Sequence, residues 1–160
     1  MSVPLEPATH RRVLMPLDGS ELAEVVLPHV RTMVRPGETH VHVLSVLTVG
    51  LSDRTVALMT TYPPGLRLST TAMAQARLDL QRYLQRIAAR VREWGATAAY
   101  EVREGNPAEE ILCCAAEIEA DLIVMSTHGL SGLSRWVYGS VTAKVLRQAP
   151  CPVLLVRPAP

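Results

Sequence analysis

The residues best suited to chemistry lie between Met125 and Ser140, in the stretch MSTHGLSGLSRWVYGS. Glycines occur at Gly129, Gly132 and Gly139, directly after the apolar run ADLIV and before the helix-like run VTAKVLRQA. Glycine lets a backbone approach an anion closely, and the N–H groups that begin a helix favour negative charge. The stretch therefore has the composition of a phosphate-binding loop, and a simple glycine-rich turn would have the same composition.

The spacing of these residues excludes several better-known loops. A P-loop requires Gly-Lys, and the only lysine of the chain, Lys144, follows an alanine. A dinucleotide-binding loop requires GxGxxG after the first strand, where this chain has LDGSEL. Ser131 lies in GLSG, which is out of register with the GxSxG of a nucleophile elbow, and this GxxG follows a strand instead of joining two helices as in a KH domain.

Hydrophobic periodicity predicts the elements that position this stretch. Apolar runs typical of strands in a parallel sheet occur in RRVLMPLD, VHVLSVLTV, ATAAYEVREG, DLIVMST and PVLLVR. Helical patterns occur in ELAEVVLPHVRTMV, in residues 69–94, in NPAEEILCCAAEIEA and in VTAKVLRQA, and Pro28 should kink or open the first of these. The alternation predicts an α/β fold, an open, doubly wound, Rossmann-like parallel sheet with helices on both faces.

The carboxyl ends of the predicted strands carry the candidate binding residues. Pro16–Asp18 follow the first strand, Ser45–Val49 end the second, and Ser126–Ser140 follow the fourth. Ligands of open α/β sheets bind beyond these ends, where the strand order changes direction. We therefore expect the three segments to face one crevice.

Composition limits the classes of function. Sixteen basic and fifteen acidic side chains nearly cancel, which argues against nucleic acid or an anionic membrane as a partner. No apolar run reaches the roughly 20 residues of a membrane helix, and the first residues lack the order of a secretory signal, so a cytoplasmic location is expected. The chain is predicted to form one domain, 1–160, with loose tails at 1–10 and 157–160 and a mobile loop at 50–68.

Several polar side chains have two interpretations each. Asp18 either contacts a ligand or organises the DGS turn. His128 lies in the glycine-rich stretch, but no sequence partner makes it a base or nucleophile, so a structural role is favoured. Asp121 is expected to cap the start of the fourth strand instead of binding metal. His40 and His42 are expected to form one face of a strand and not a metal pair.

The cysteines show no metal-binding spacing and are expected to be ordinary small core residues. Cys113 and Cys114 are adjacent in a predicted helix, where they point about 100° apart and suit no disulfide. Cys151 precedes the last strand. Of the residues after the glycines, Arg135 either reaches a phosphate or lies in solvent, and Trp136 is expected to pack beneath the loop or at a subunit contact.

From GNPAEE to PVLLVR the sequence resembles the C-terminal half of a universal stress protein, and RVLMPLDGSELAEVVLPHV resembles its N-terminal part. The resemblance implies five parallel strands in the order 3-2-1-4-5 and a homodimer through the last strand, Pro152–Arg157. Many members bind ATP with a divalent cation through G-x2-G-x9-G-[ST], which falls here on Ser126, Gly129, Gly139 and Ser140. Serine at the first position costs little if its φ is negative and about 1–2 kcal/mol if it is positive.

The resemblance also implies a set of nucleotide-binding residues. Adenine and ribose would lie along Pro16, Leu17, Asp18 and Val46. The phosphates would lie along Met125, Ser126, Thr127, His128, Gly129, Leu130, Ser131, Gly132, Gly139, Ser140, Val141 and Thr142. The ligand would be ATP, ADP or AMP, with Mg²⁺ or Mn²⁺ held mainly through the phosphates. The expected function is a nucleotide-binding stress-response module and not a dedicated enzyme. A nucleotide-independent dimeric interaction protein and a slow ATPase stay open as alternatives.

Overall fold

The computed structural model describes residues 11–48, 70–127 and 139–157. Its strands are β1 Arg12–Pro16, β2 His40–Leu47, β3 Thr97–Glu104, β4 Leu122–Ser126 and β5 Val153–Val156. Its helices are α1 Glu21–Glu24, α2 Leu27–Met33, α3 Thr70–Glu93, α4 Pro107–Glu117 and α5 Ser140–Gln148. The loop predicted at 50–68 and nearly all of the predicted tails lie outside the described residues.

The five strands form one parallel sheet in the order β3-β2-β1-β4-β5, which confirms the expected architecture. β1 lies in the middle and pairs with β2 along the whole length of β1, from Arg12 opposite His40 to Pro16 opposite Leu44. The chain runs outward from β1 through β2 to β3, then returns to the other side of β1 to add β4 and β5. The order therefore changes direction between β1 and β4, where ligands of such sheets bind.

Two aliphatic cores lie on the two faces of the sheet. Alternate residues of a strand point to opposite faces. Val13 and Met15 of β1 accordingly pack in a core with α1, α2 and α3, whereas Leu14 packs in a second core with α4 and α5. The sheet is held between these two layers of helix, and the carboxyl ends of its strands meet at one edge.

The long helix α3 matches the prediction for residues 69–94 closely. Leu84, Ile87 and Val91 are buried, while Arg86 and Arg90 are exposed. The helix therefore has one buried face and one solvated face. Neither α3 nor any other helix in the described part of the chain is long and apolar enough to cross a membrane.

The first predicted helix is divided into two. α1 ends at Glu24, and α2 begins at Leu27 with Pro28 in its first turn. Proline lacks the N–H that an interior helical residue donates, and its ring clashes with the carbonyl four residues earlier, which here belongs to Glu24. The same residue is well suited to the first turn of a helix, so the chain restarts the helix at this point.

Candidate functional site

The candidate residues that follow β1, β2 and β4 lie at one edge of the sheet. Continuing the registers of β1 with β2 and of β1 with β4 past the last paired residues places Asp18 level with Val46 and Thr127. Val46 is half-buried on the face covered by α4 and α5, and Met125 is buried on the same face. The strand order changes direction at this edge, so the structure brings these predicted residues together where a ligand is expected.

The turn after β1 is organised by Asp18. Its Oδ1 accepts hydrogen bonds from the backbone N–H of Ser20 at 3.0 Å and from the Ser20 hydroxyl at 2.6 Å. Ser20 in turn caps α1 by accepting from the N–H of Ala23 at 3.1 Å. Gly19 between them has a φ of +85°, which side chains rarely adopt. The turn-organising role of Asp18 is thereby confirmed, and its contact with a ligand stays a prediction.

Leu17 is fixed between β1 and β2 just before this turn. Its N–H donates to the carbonyl of Leu44 at 2.8 Å, and its own carbonyl accepts from the hydroxyl of Ser45. Ser45 is buried, so this hydroxyl satisfies a backbone group that would otherwise be left without a partner inside the protein. The backbone on which Asp18 projects is therefore held rigidly at the edge.

Ser126 occupies the position where the resemblance expects glycine. It is the last residue of β4, is buried, and lies opposite Val156 of β5. The next residue, Thr127, is also buried and donates its N–H to the carbonyl of Val156 at 2.9 Å. Among the described residues other than glycine, Glu119 alone has a positive φ. Serine at 126 therefore imposes no left-handed backbone strain.

The start of α5 is open. Gly139 is its N-cap, with φ −55° and ψ 155°, and no side-chain hydrogen bond caps the helix. A Cβ built on Gly139 would meet nothing within 4 Å in the described part of the chain, and these angles suit any residue. Ser140 is exposed, whereas Thr142, which points to the opposite side of the helix, is buried. The described fold does not itself require glycine here, which leaves room for a ligand as the reason for it.

Several of the predicted phosphate-binding residues lie outside the described residues: His128, Gly129, Leu130, Ser131 and Gly132. Arg135 and Trp136 lie in the same segment. The described part of the predicted site consists of the turn after β1, the end of β2, the end of β4 and the first turn of α5.

Asp121 has a structural role, but its side chain caps the start of β1 and not, as the sequence predicts, the start of the fourth strand. Its Oδ2 accepts hydrogen bonds from the backbone N–H of Arg11 at 2.8 Å and of Arg12 at 3.0 Å. Its own N–H donates to the carbonyl of Arg12. Asp121 thereby joins the beginnings of β1 and β4 at the edge opposite the candidate site.

A second polar cluster, which the sequence did not suggest, lies between β2, β3 and α4. Nε2 of His42 lies 3.0 Å from Oε1 of Glu101, and the thiol of Cys114 donates to the same oxygen at 3.4 Å. Arg103 also contacts Glu101, at 2.9 Å. The sequence could have predicted one part of this cluster. Residues 101 and 103 of one strand must point to the same face, which brings Glu101 and Arg103 together.

Charge interactions set the acid–base properties of this cluster. Burial opposes ionisation of Glu101, but hydrogen bonds from Arg103, Cys114 and His42 outweigh it and hold the pKa of Glu101 below its usual range. Burial raises the pKa of the Cys114 thiol to about 12, despite the attraction of Arg103. Burial opposes the charge of Arg103 as well, but hydrogen bonds to Glu117 and Glu101 raise its pKa overall.

The cysteines correct one expectation. Cys114 is fully buried, as predicted, but Cys113 is exposed and Cys151 is half-buried, so the three are not alike. The thiol of Cys113 donates to Oε1 of Glu117 at 3.0 Å, and this hydrogen bond to a carboxylate raises the pKa of Cys113. Adjacent helical positions point about 100° apart, so α4 buries one thiol and leaves the other in solvent.

The fold agrees with comparisons with known proteins. The sequence pattern of the universal stress protein family matches residues 9–157. The chain belongs to this family. It is 29% identical over 153 residues to universal stress protein MJ0531 of Methanocaldococcus jannaschii, covering 92% of this chain and 82% of that protein.

Solved structures share the fold at lower identity. MJ0577 of Methanocaldococcus jannaschii superimposes with a TM-score of 0.80 at 24% identity, covering 95% of this chain and 99% of that one. The universal stress protein of Archaeoglobus fulgidus in complex with dAMP has a TM-score of 0.61 at 21% identity, covering 92% and 98%. Other universal stress proteins of this fold are complexes with cAMP and with AMP.

Proposed function

We propose that this protein is a nucleotide-binding regulatory module that takes ATP, ADP or AMP at the edge between β1 and β4. The single observation that carries the proposal is the start of α5, which has no side-chain cap and, among the described residues, no atom within 4 Å of the Cβ position of Gly139. It lies in a protein whose relatives of the same fold bind dAMP, AMP and cAMP. Adenine and ribose would lie along Pro16–Asp18 and Val46.

The phosphates would lie against the first turn of α5. The N–H groups at a helix start carry partial positive charge and have no partner within the helix, so they favour an anion. The first turn of α5 contains no acidic residue that would repel one. Ser140 is exposed at this turn, and we assign its hydroxyl the most direct phosphate contact. Ser126 would lie on the same side. Because its φ is negative, serine at this position causes no left-handed backbone strain.

A divalent cation fits this arrangement as a companion of the phosphates. Among the described residues, no atom lies within 4 Å of the Cβ position of Gly139, where the phosphates are proposed to lie. Mg²⁺ commonly keeps several waters and is held through phosphates with few protein ligands. When bound, the ion would supply neutralisation of phosphate charge, while Ser140 and the N–H groups of α5 would orient the phosphates.

The chemistry of the described edge supports binding over catalysis. Asp18 is the carboxylate nearest the proposed ribose, and its Oδ1 already accepts two hydrogen bonds from Ser20. A general base needs an oxygen within hydrogen-bond reach of the proton that it removes. We expect phosphate release from ATP at the background rate. Release well above background that is lost in Ser140→Ala would establish the slow ATPase instead.

Calorimetric titration tests the binding proposal. Tag-free protein is titrated with AMP, ADP and ATP, each with and without Mg²⁺, and with CMP as a control for the base. We expect one adenine nucleotide per chain, weak or absent heat with CMP, and tighter binding of ATP when Mg²⁺ is present. Absence of heat with every adenine nucleotide at millimolar concentration would establish the nucleotide-independent alternative.

We also propose that two chains associate through β5, Pro152–Arg157. β5 lies at one edge of the sheet and pairs with β4 on its inner side. The carbonyls of Pro152 and Val156 accept from β4, so the intervening Leu155 directs its N–H and carbonyl outward. These outward groups are a ready template for a second strand.

Light scattering after size exclusion tests the association. The wild type should be a dimer, and Leu155→Pro should be a monomer because proline removes the outward N–H without touching the ladder to β4. Leu155→Ala is the matched control, since it removes the side chain and keeps the N–H, and it should stay dimeric. A monomeric wild type, or a dimeric proline variant, would contradict the proposal.

A further inference from the structure

Three side chains of different elements converge beneath α4, on the side of the sheet away from β5. His42 belongs to β2, Glu101 to β3 and Cys114 to α4. Cys114 is fully buried, and the side chains of His42 and Glu101 are 13% and 35% exposed. The cluster is therefore closed on the helix side and reaches solvent through Glu101. We call these three residues the β2–β3–α4 cluster.

The ligand-type atoms of this cluster are close together. Oε1 of Glu101 is 3.0 Å from Nε2 of His42 and 3.4 Å from Sγ of Cys114. All three atoms lie within 4.8 Å of one another. Nitrogen, oxygen and sulfur ligands at the usual distances from Zn²⁺ are about 3.3–3.6 Å apart in a tetrahedral site. The two distances from Oε1 of Glu101 are thus near those around one zinc ion, and a tetrahedral site would leave a fourth position for water.

The charges around the cluster favour a dication. Arg103 is the cation in contact with Glu101, and it also contacts Glu117 at 2.5 Å and Glu110 at 3.8 Å. Three carboxylates therefore surround one guanidinium. If Oε1 of Glu101 turned to a metal ion, Arg103 would retain Glu117 and Glu110, so the guanidinium would not be left buried without a partner.

The chemical types of the ligands select the ion. A thiolate and an imidazole suit Zn²⁺ and related borderline metals, whereas Mg²⁺ and Ca²⁺ prefer oxygen. We propose that the β2–β3–α4 cluster is a Zn²⁺-class metal site formed by Nε2 of His42, a carboxylate oxygen of Glu101 and Sγ of Cys114. The ion takes the place of the thiol proton, which passes to solvent. This site is separate from the proposed nucleotide site and does not rest on it.

Metal titration with paired variants tests the proposal. Tag-free, nucleotide-free protein in a phosphine reductant is titrated with Zn²⁺ alone. We expect one ion per chain, and affinity lowered at least about tenfold by Cys114→Ser and by His42→Gln, since even outer-shell changes weaken metal sites by that much. Cys113→Ser and His40→Gln are matched controls, because each removes the same group one or two residues away. Their affinities should stay within about twofold of the wild type.

Co²⁺ supplies a spectroscopic readout of the sulfur ligand. The wild type and the Cys113→Ser variant should show a thiolate-to-cobalt charge-transfer band, and Cys114→Ser should not. Circular dichroism of each metal-free variant establishes that it is folded, and His42→Gln stands in if Cys114→Ser unfolds. The proposal is overturned if the wild type binds no Zn²⁺, if the paired controls lose as much affinity as the cluster variants, or if the band follows Cys113.

Discussion

Two helices on the same face of the sheet begin in opposite ways. At the start of α4, Oδ1 of Asn106 accepts from the N–H of Ala108 at 3.1 Å and of Glu109 at 3.3 Å, and the first turn carries Glu109 and Glu110. At the start of α5, Gly139 offers no side chain, and the first turn carries no acid. The two helices are joined by an ion pair between Lys144 and Glu109.

The two helix starts differ in whether residues of the chain itself satisfy their N–H groups. At the start of α4, the Asn106 cap and the acidic Glu109 and Glu110 stabilise the partial positive charge of the helix. The start of α5 lacks both contributions and lies at the edge where the strand order changes direction. α2 also begins without a side-chain cap or an acid, but its first turn contains Pro28, which has no N–H to satisfy. The uncapped N–H groups of α5 are therefore consistent with the proposed external anion.

Gly139→Asp breaks this comparison most strongly. Aspartate is among the best N-caps, and the backbone angles of residue 139 suit it, so stability should be unchanged or raised. Nucleotide affinity should fall about a hundredfold, because like charges side by side cost several kcal/mol. Calorimetric titration and thermal unfolding measure the two effects. Gly139→Asn adds nearly the same volume without charge and should weaken binding less. An aspartate variant that binds ATP normally would place the phosphates elsewhere.

Asn106→Ala gives the opposite result at the other helix. Loss of the cap should lower the free energy of unfolding by about 1 kcal/mol, measured by denaturant titration. Nucleotide affinity should stay within about twofold, because residue 106 lies outside the proposed site. A parallel loss of affinity and stability would mean that the two helix ends are not functionally distinct.

Ser126→Gly sharpens the comparison at the end of β4, where the resemblance expects the first glycine of the phosphate-binding pattern. Because φ at 126 is negative, glycine relieves no strain, and nucleotide affinity should change by less than about threefold. Stability should fall by about 0.5–1 kcal/mol, since glycine in a strand loses more freedom on folding. Binding that appears only in the glycine variant would instead show that the serine blocks the phosphates.

Glu101→Gln tests whether the ionised carboxylate of Glu101 stabilises the α4 side of the sheet. The expected change in stability is the smallest of the four predictions. The folded-state pKa of Glu101 lies below its usual value of 4.5, so its ionised form stabilises the protein at neutral pH. That contribution is lost as the pH falls below about 4.5. Thermal unfolding should show the wild type more stable at pH 7 and the difference closing in acid. Glu104→Gln, at an exposed pair with Arg77, is the control and should show little difference at either pH.

The sheet and the location of the candidate site could be predicted because their signals are local. Apolar runs predicted the five strands, and apolar residues repeating every three or four positions predicted α3. Ser20 and Asn106 were predictable caps because capping depends on a residue and the N–H groups two or three positions later. The carboxyl ends of the strands follow from the alternation of strands and helices alone.

The remaining features depend on contacts between distant parts of the chain. His42, Glu101 and Cys114 meet only because β2 and β3 pair in one register and α4 lies across them. The φ of Ser126 depends on its place in β4, which its residue type does not reveal. Pro28 signalled a break, but whether the helix bends or restarts depends on how the second piece packs.

The strand order determines which strands of the sheet can pair first during synthesis. β1, β2 and β3 are neighbours both along the chain and in the sheet, so this half of the sheet can form as it leaves the ribosome. β4 and β5 are made later; β4 must pair with β1 along Val13 and Leu14, and β5 must pair with β4. A ligand that contacts both halves of the sheet would bind only after β4 has paired with β1. Its binding would therefore stabilise the fully paired sheet by mass action.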